Sequence, residues 1–378
     1  VTRSGVGRDE TIEFATELLE LVHSASTTTS YKYALLMALI EMAAESEPGD
    51  GSLVITTRQI AMRTLELYWP QARAFHGDRR LSQLCGRGRS IVDHIAAWQA
   101  GLGEQLGSPQ LARRRDTAGF EALLDEIEWL MIRHPIPLLQ RIGGRSLDLL
   151  YEPSWVAELA RGPVRAYQAG RASEFDNRVV LLPGVGVKLA TLAPLFLPLI
   201  RREWTRFVAR ANQQLSDEAR IEDFLFEPDR EQLGRALRRE LSAMQERRCF
   251  YCREPLGNRV DIDHFLAWSR CGASAIDNLV AAHPTCNNDK SDLLVASPHL
   301  DRWIDRLDHG RDDLHDIAER HNWYAEPARI GALVRANYAH LGPKTPLWVA
   351  HERWVAAADE PLDPSRLALA RVLGQLGP

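Results

Sequence analysis

No run of this sequence is long and apolar enough to cross a bilayer as a helix, which takes about 20 residues. The most apolar stretch, residues 189–200, reads LATLAPLFLPLI, holds two prolines and is bracketed by Lys188 and Arg201. It is expected to be a buried helix. The opening VTRSGVGRDE has no apolar centre of the kind a secretory signal needs. These absences argue against a membrane partner and give the cytoplasm as the expected location. Cysteine is scarce, five in 378 residues, and four of the five lie between positions 249 and 286. Without a secretory signal, clustered cysteines are better explained by metal than by disulfides. Positive charge is not in excess: 46 Lys and Arg against 51 Asp and Glu leave a net charge of −5. That disfavours tight non-specific binding to nucleic acid, although a binding face needs only local basic density.

What is present is an ordinary globular composition, 45% hydrophobic and 26% charged, in a chain long enough for two or three domains. The expected fold class is mostly α and multidomain. Residues 1–134 read as a helical N-terminal domain. Ile12, Phe14, Leu18, Leu19 and Val22 recur at helical spacing, as do Ala34, Leu35, Ala38, Leu39 and Met42. A β-like run at 53–55 meets Thr56 or Thr57, either a good N-cap for a helix over 58–69, and a further helix starts at Ser90. That order suits a winged-helix module. Residues 135–240 read as a connector: a boundary rich in Pro and Gly over 135–170, a β-like run at 178–182, and a long helix reaching about Gln214. The intervening Gly184-Val185-Gly186-Val187 lacks the third glycine of a dinucleotide fingerprint and the Gly-Lys-Ser/Thr ending of a P-loop, so it reads as a plain turn. A charged helix over 229–248 leads into a compact segment, 241–296, and residues 297–378 read as a helical C-terminal region. Repeats and low-complexity tracts are absent.

The chemistry concentrates in 249–292, CFYCREPLGNRVDIDHFLAWSRCGASAIDNLVAAHPTCNNDKSD. Cys249 and Cys252 form a C-x-x-C pair, and His283 and Cys286 an H-x-x-C pair. Two residues between ligands let both side chains face one ion, and two such knuckles make a closed Cys3His tetrahedron suited to structural zinc. Cys271 is a rival fourth ligand, but it lies away from either knuckle, and His283 is preferred. Cys271 and Cys85 otherwise read as small apolar fillers or exposed thiols. Between the knuckles, residues 259–264 read as a strand with Val260 and Ile262 on one face and Asp261 and Asp263 on the other. Residues 278–282 read as a second strand. From Cys286 onward a helix is expected, with Asn287, Lys290 and Leu294 sharing a face. Strand, loop, strand, helix is a ββα unit.

The D-x-D-H of 261–264, the I-D-N of 276–278 and the N-x-x-K of 287–290, inside paired knuckles, resemble the HNH nuclease superfamily, including the HNH domain of RNA-guided CRISPR nucleases. The likeness spans about residues 245–296. His283 stands where the family usually has a cysteine, and Leu266-Ala267 stands where many members have proline.

The resemblance implies a phosphodiesterase site. A neutral histidine, with an ordinary pKa near about 6.5, can take a proton from water at cellular pH, and His264 is the expected general base. Asp263 and Asn287 supply hard oxygen ligands for a catalytic Mg2+ or Mn2+. Asn278, the middle residue of the motif, is expected to brace the loop that positions His264. Lys290 is expected either to reach a phosphate oxygen or to be a solvated helix lysine. Asp261 reads as a supporting carboxylate, His299 and His309 as surface residues, and Asp93-His94 as a coincidental repeat of the DH pair. Phosphate contacts are expected from Arg73, Arg79, Arg80, Arg87 and Arg89, from Arg113, Arg114 and Arg115, and from Arg201, Arg202, Arg206 and Arg210.

The expected protein is thus a stand-alone DNA endonuclease that nicks by default, since one site cuts one strand; double-strand cleavage needs a second site or a homodimer. A role in bacterial phage defence or restriction, with protein partners from such a system, is suggested by resemblance alone. Two other readings stand beside it. One is a zinc-stabilised nucleic-acid- or protein-binding module without catalysis, which would show erosion of Asp263, His264 or Asn287. The other is a latent nuclease that acts only inside a partner complex. Structured RNA is a second substrate class.

Overall fold

The computed structural model describes residues 8–23, 28–46, 51–75, 79–86, 88–102, 108–142, 144–152, 160–213, 218–226, 234–321, 323–339, 341–360, 363 and 365. The chain divides into two compact units, 1–226 and 227–378.

The first unit runs α1 (Arg8–His23), α2 (Tyr31–Glu45), β1 (Val54–Thr56), α3 (Thr57–Tyr68), α4 (Ile91–Leu102), α5 (Pro109–Arg115), α6 (Thr117–Arg133), α7 (Pro135–Leu138), β2 (Arg141–Ile142), β3 (Arg145–Ser146), α8 (Arg161–Gln168), β4 (Arg178–Val180), α9 (Val185–Ala211) and α10 (Glu218–Phe226). Helix α2 is apolar on nearly every side, which suits a helix buried on all sides rather than one lying at the surface. It is buried from Tyr33 to Glu41 and packs along α9. The apolar stretch 189–200 does lie in a helix, α9, with Pro194 and Pro198 inside it. Leu189, Ala193, Phe196, Leu197 and Ile200 face the core, while Leu195 is 62% exposed, so only one side of the stretch is buried. Gly184 precedes α9 at φ +76°, which makes the glycine-rich sequence a turn into the helix. Of the two candidate caps of α3, Thr56 is the one used. Its Oγ1 accepts from Gln59 N at 3.2 Å and Gln59 Oε1 accepts from Thr56 N at 2.8 Å, a reciprocal capping box.

Strand β1 pairs antiparallel with β4, Val54 opposite Val180, whereas the β2–β3 hairpin pairs within itself. The expected DH coincidence at 93–94 is a helix start: the Asp93 carboxylate accepts from Ser90 N at 2.7 Å. Several arginines expected at phosphates are buried or paired with a partner in their own unit, Arg113 while staying exposed. Arg201 is buried, Arg206 pairs with Glu203 at 2.6 Å, and Arg113 pairs with Glu121 at 2.8 Å. Arg73 donates to Phe224 O at 3.1 Å and stacks over the Phe224 ring. Arg79, Arg80, Arg89, Arg114, Arg115, Arg202 and Arg210 are exposed, and Arg87 lies outside the described residues.

The second unit runs α11 (Arg235–Met244), β5 (Asp261–His264), α12 (Trp268–Cys271), β6 (Leu279–Ala282), α13 (Pro284–Lys290), β7 (Leu294–Val295), α14 (Ser297–His309), α15 (Arg311–Arg320), α16 (Pro327–Ala339), β8 (Pro346–Ala350) and β9 (Arg353–Ala356). The charged helix expected over 229–248 is α11, which presents Leu237 and Leu241 to the core; residues 229–233 lie outside the described residues. Strands β5 and β6 pair antiparallel with His264 opposite Leu279. Helix α13 ends at Lys290, where Ser291 takes φ +50°, so Leu294 is not on its face. Leu294 instead begins β7, which pairs parallel with β8 to build the sheet β7-β8-β9. The C-terminal region is therefore helical with a small sheet. The apolar, aromatic and β-branched run Leu347-Trp348-Val349 suits a strand, and its pairing with β7 spans more than fifty residues of sequence. No helix among the described residues is long and apolar enough to cross a membrane.

Candidate active site

The ligand atoms of Cys249, Cys252, His283 and Cys286 lie within 4.8 Å of one another. The first knuckle is a tight turn and the second is the first turn of α13. Arg253, just past Cys252, takes φ +64°, and the His283 backbone N donates to Cys249 Sγ at 3.4 Å. His283 Nδ1 faces Cys252 Sγ at 3.3 Å, and its Nε2 sits 3.0 Å from Pro255 O. A carbonyl on one ring nitrogen fixes the tautomer that offers the other as a ligand. Burial, reinforced by the neighbouring Cys249 and Cys252 sulfurs, pushes the Cys286 thiol up to about 12. A thiolate there needs a cation beside it, and the donor set of three sulfurs and one imidazole fits Zn2+. Cys271 is not part of this cluster. It is buried elsewhere, with its Sγ 3.4 Å from Leu266 O.

His264 closes β5 and is half-buried. Its Nε2 lies 2.9 Å from Ser274 Oγ, and its ring is 5.9 Å from that of Trp268. Asn278 is fully buried behind it. The Asn278 Oδ1 accepts from Leu266 N at 2.8 Å, and its Nδ2 donates to Leu266 O at 2.9 Å and Ala273 O at 3.3 Å. One amide thus ties both ends of the loop that follows the histidine.

The two carboxylates of β5 have different surroundings. Asp263, not its apolar neighbour Ile262, is the buried position of the strand. Its Oδ2 accepts from the Tyr251 hydroxyl and from Lys290 Nζ at 3.0 Å. Burial raises the Asp263 carboxyl above its usual range, and Lys290 and Tyr251 oppose that shift. Asp261 is half-exposed and accepts from Asn287 Nδ2 at 3.2 Å. The contact with Asn287 is therefore made by Asp261, a residue that the sequence ranked as secondary.

Lys290 neither reaches toward a phosphate nor faces water. It is fully buried, and its Nζ donates to His264 O at 3.0 Å as well as to Asp263. A desolvated ammonium needs such partners, and these fasten α13 to the end of β5. Removing one member of a buried pair costs about 3–5 kcal/mol, so Lys290→Met is expected to speed amide exchange across β5 and α13 by more than about 100-fold. Unchanged exchange would contradict this placement. His299 is likewise not a surface residue: it is buried beside Trp348, with Nε2 2.7 Å from Val349 O. His309 is exposed.

Residues 249–293 match the family model described as HNH endonuclease. This segment is an HNH domain. The match implies a nuclease-type function, and the Cys3His cluster is the zinc-compatible part of the motif. No curated protein matches the chain, and no solved structure does. The HNH match begins at the first knuckle cysteine and ends just past α13, so it contains every residue of the candidate site named above.

Sequence reasoning passed over three residues that touch the site: Tyr251, Ser274 and Tyr324. Tyr251 lies between the first knuckle cysteines, where an aromatic residue has no ligand role and its contact with Asp263 depends on the turn. Ser274 is one small polar residue in a long loop. Tyr324 comes from the far side of two helices, and its hydroxyl accepts from Ser274 N at 2.8 Å.

Proposed function

We propose that the chain is a metal-dependent DNA endonuclease in which His264 takes the proton of the attacking water. The observation that supports this most is the gathering of His264, Asp261, Asp263 and Asn287 on β5 and α13 within the HNH match. Two carboxylates on one strand and an amide in contact with the first make a hard, oxygen-rich donor set that fits Mg2+ or Mn2+. Asp263 and Asn287 would hold the ion, with Asp261 beside Asn287. When bound, such a cation neutralises charge on a non-bridging phosphate oxygen and on the departing 3′ oxygen.

His264 removes one proton from water as the water oxygen bonds to phosphorus. The bond from phosphorus to the 3′ oxygen breaks, the 3′ oxygen takes a proton from solvent, and the strand is left with a 3′-hydroxyl and a 5′-phosphate. The Tyr251 and Lys290 donors hold Asp263 still, and Lys290 also holds the backbone carbonyl of the base itself. Preorganised groups of this kind need no rearrangement during reaction. One such site cuts one strand. DNA is the preferred substrate class, and a role in phage defence or restriction fits a nuclease with a large non-catalytic unit. Zinc at the knuckles plays no part in the chemistry and holds the frame.

Incubation with an end-labelled duplex tests this reading. Mg2+ should give nicked strands bearing 3′-hydroxyl ends, and EDTA should abolish them. Cleavage that persists in EDTA would reject the mechanism. Zinc-loaded protein that binds the duplex but never cuts it would favour the binding-module reading instead.

A further inference from the structure

The loop between α12 and β6 carries a contact that the HNH pattern does not assign. Ser274 is buried, with 4% of its surface exposed, and its Oγ is 2.9 Å from His264 Nε2. A hydroxyl held this way limits both the rotation of the imidazole and which nitrogen carries its proton. Ser274 could not do this on a free loop, because a wandering hydroxyl fixes nothing. The loop is fastened from outside the HNH match. Ser274 N donates to the Tyr324 hydroxyl at 2.8 Å, and Trp323 Nε1 donates to Ser274 O at 2.7 Å. One residue therefore has its amide and its carbonyl gripped by neighbouring aromatic side chains.

The grip continues along the loop. Ile276 N donates to Tyr324 O at 2.9 Å, and Glu326 N donates to the buried Asp277 carboxylate at 2.7 Å. From the other side, Trp303 Nε1 and an Arg306 guanidinium N–H donate to Asp277 O at 2.9 and 3.2 Å. Tyr324 and Arg306 are both desolvated, and burial outweighs the Asp277 charge to bring the Arg306 guanidinium down to about 10. Hydrogen bonds in such surroundings are costly to leave unmade, so the loop has little freedom.

We propose that Ser274 is a positioning residue for His264, and that residues 323–326 are its support, so the catalytic unit extends beyond the matched HNH segment. The proposal rests on His264 being the general base. A misplacement of about 1 Å can cost about 100-fold in rate. Ser274→Ala is therefore expected to lower the single-turnover rate at saturating duplex by about 10- to 100-fold, with the half-saturating DNA concentration unchanged. Ser274→Thr keeps the hydroxyl and is expected to restore most of the rate. Tyr324→Phe removes one of the two grips on Ser274 and should slow cleavage in the same sense.

The second readout needs no cleavage. In the full chain loaded with zinc, the imidazole nitrogen signals of His264, identified by their loss in His264→Gln, should move in Ser274→Ala and stay near the wild-type position in Ser274→Thr. Signals that do not move in Ser274→Ala, or a Ser274→Ala rate within twofold of wild type, would overturn the proposal. A wild-type chain that cuts nothing would defeat the nuclease reading but leave the nitrogen signals to decide on Ser274.

Discussion

His264→Ala should lower the single-turnover cleavage rate by about 100- to 10,000-fold while leaving the zinc content and the fold intact. The range is what a positioned general base contributes. The fold should survive because His264 is half-buried at a strand end, with its ring beside the Ser274 hydroxyl and the Trp268 indole. Its structural duties are carried by its backbone. The carbonyl accepts from Lys290, and the pairing opposite Leu279 is main-chain, so alanine keeps both. A mutant that stops cutting and also loses zinc would not support the role of the imidazole. A mutant that keeps zinc and cuts within tenfold of wild type would move the base elsewhere.

The second large effect is expected on removing zinc. Structural zinc sites in small peptides are worth roughly 10–16 kcal/mol, more than the total stability of many domains, about 5–15 kcal/mol. Here the elements that the knuckles hold are short: four residues in β5, four in β6 and seven in α13. A two-stranded hairpin of that size does not stand alone in water. Chelation, Cys252→Ser or Cys286→Ser should therefore open residues 249–293 to rapid amide exchange and abolish cleavage. Cys271→Ser separates this account from its rival. It should retain one tightly held zinc, because Cys271 hydrogen-bonds to backbone carbonyls and lies outside the Cys3His cluster. His283→Ala should release the ion. Zinc retained by His283→Ala and lost by Cys271→Ser would reverse the assignment.

The knuckles, the DH pair, the central asparagine and the short helix were legible because their meaning lies in local spacing. A spacing of two residues or a short alternating run can be recognised from its neighbours in sequence. What the sequence left hidden depends on residues far apart in the chain. Lys290 reads as a surface lysine until Asp263 and the His264 carbonyl are seen around it. Leu294 continues a helical pattern until Leu347 appears as its strand partner. Arg113 and Arg206 read as part of a phosphate-binding face until Glu121 and Glu203 are found against them. Ser274 gives no signal at all, since its contact with His264 requires Trp323 and Tyr324 to hold the loop. The different burial of Asp261 and Asp263 was equally out of reach. Alternation puts both on one face, and only the packing of Tyr251 and Lys290 shows which is buried.

The most direct measurement is conversion of supercoiled plasmid by wild type and His264→Ala, matched for zinc content, in Mg2+ and in EDTA. Open circles from the wild type in Mg2+ alone, with none from His264→Ala, is the predicted result. Equal conversion by both proteins, or conversion in EDTA, would contradict a metal-dependent nuclease that uses His264 as its base.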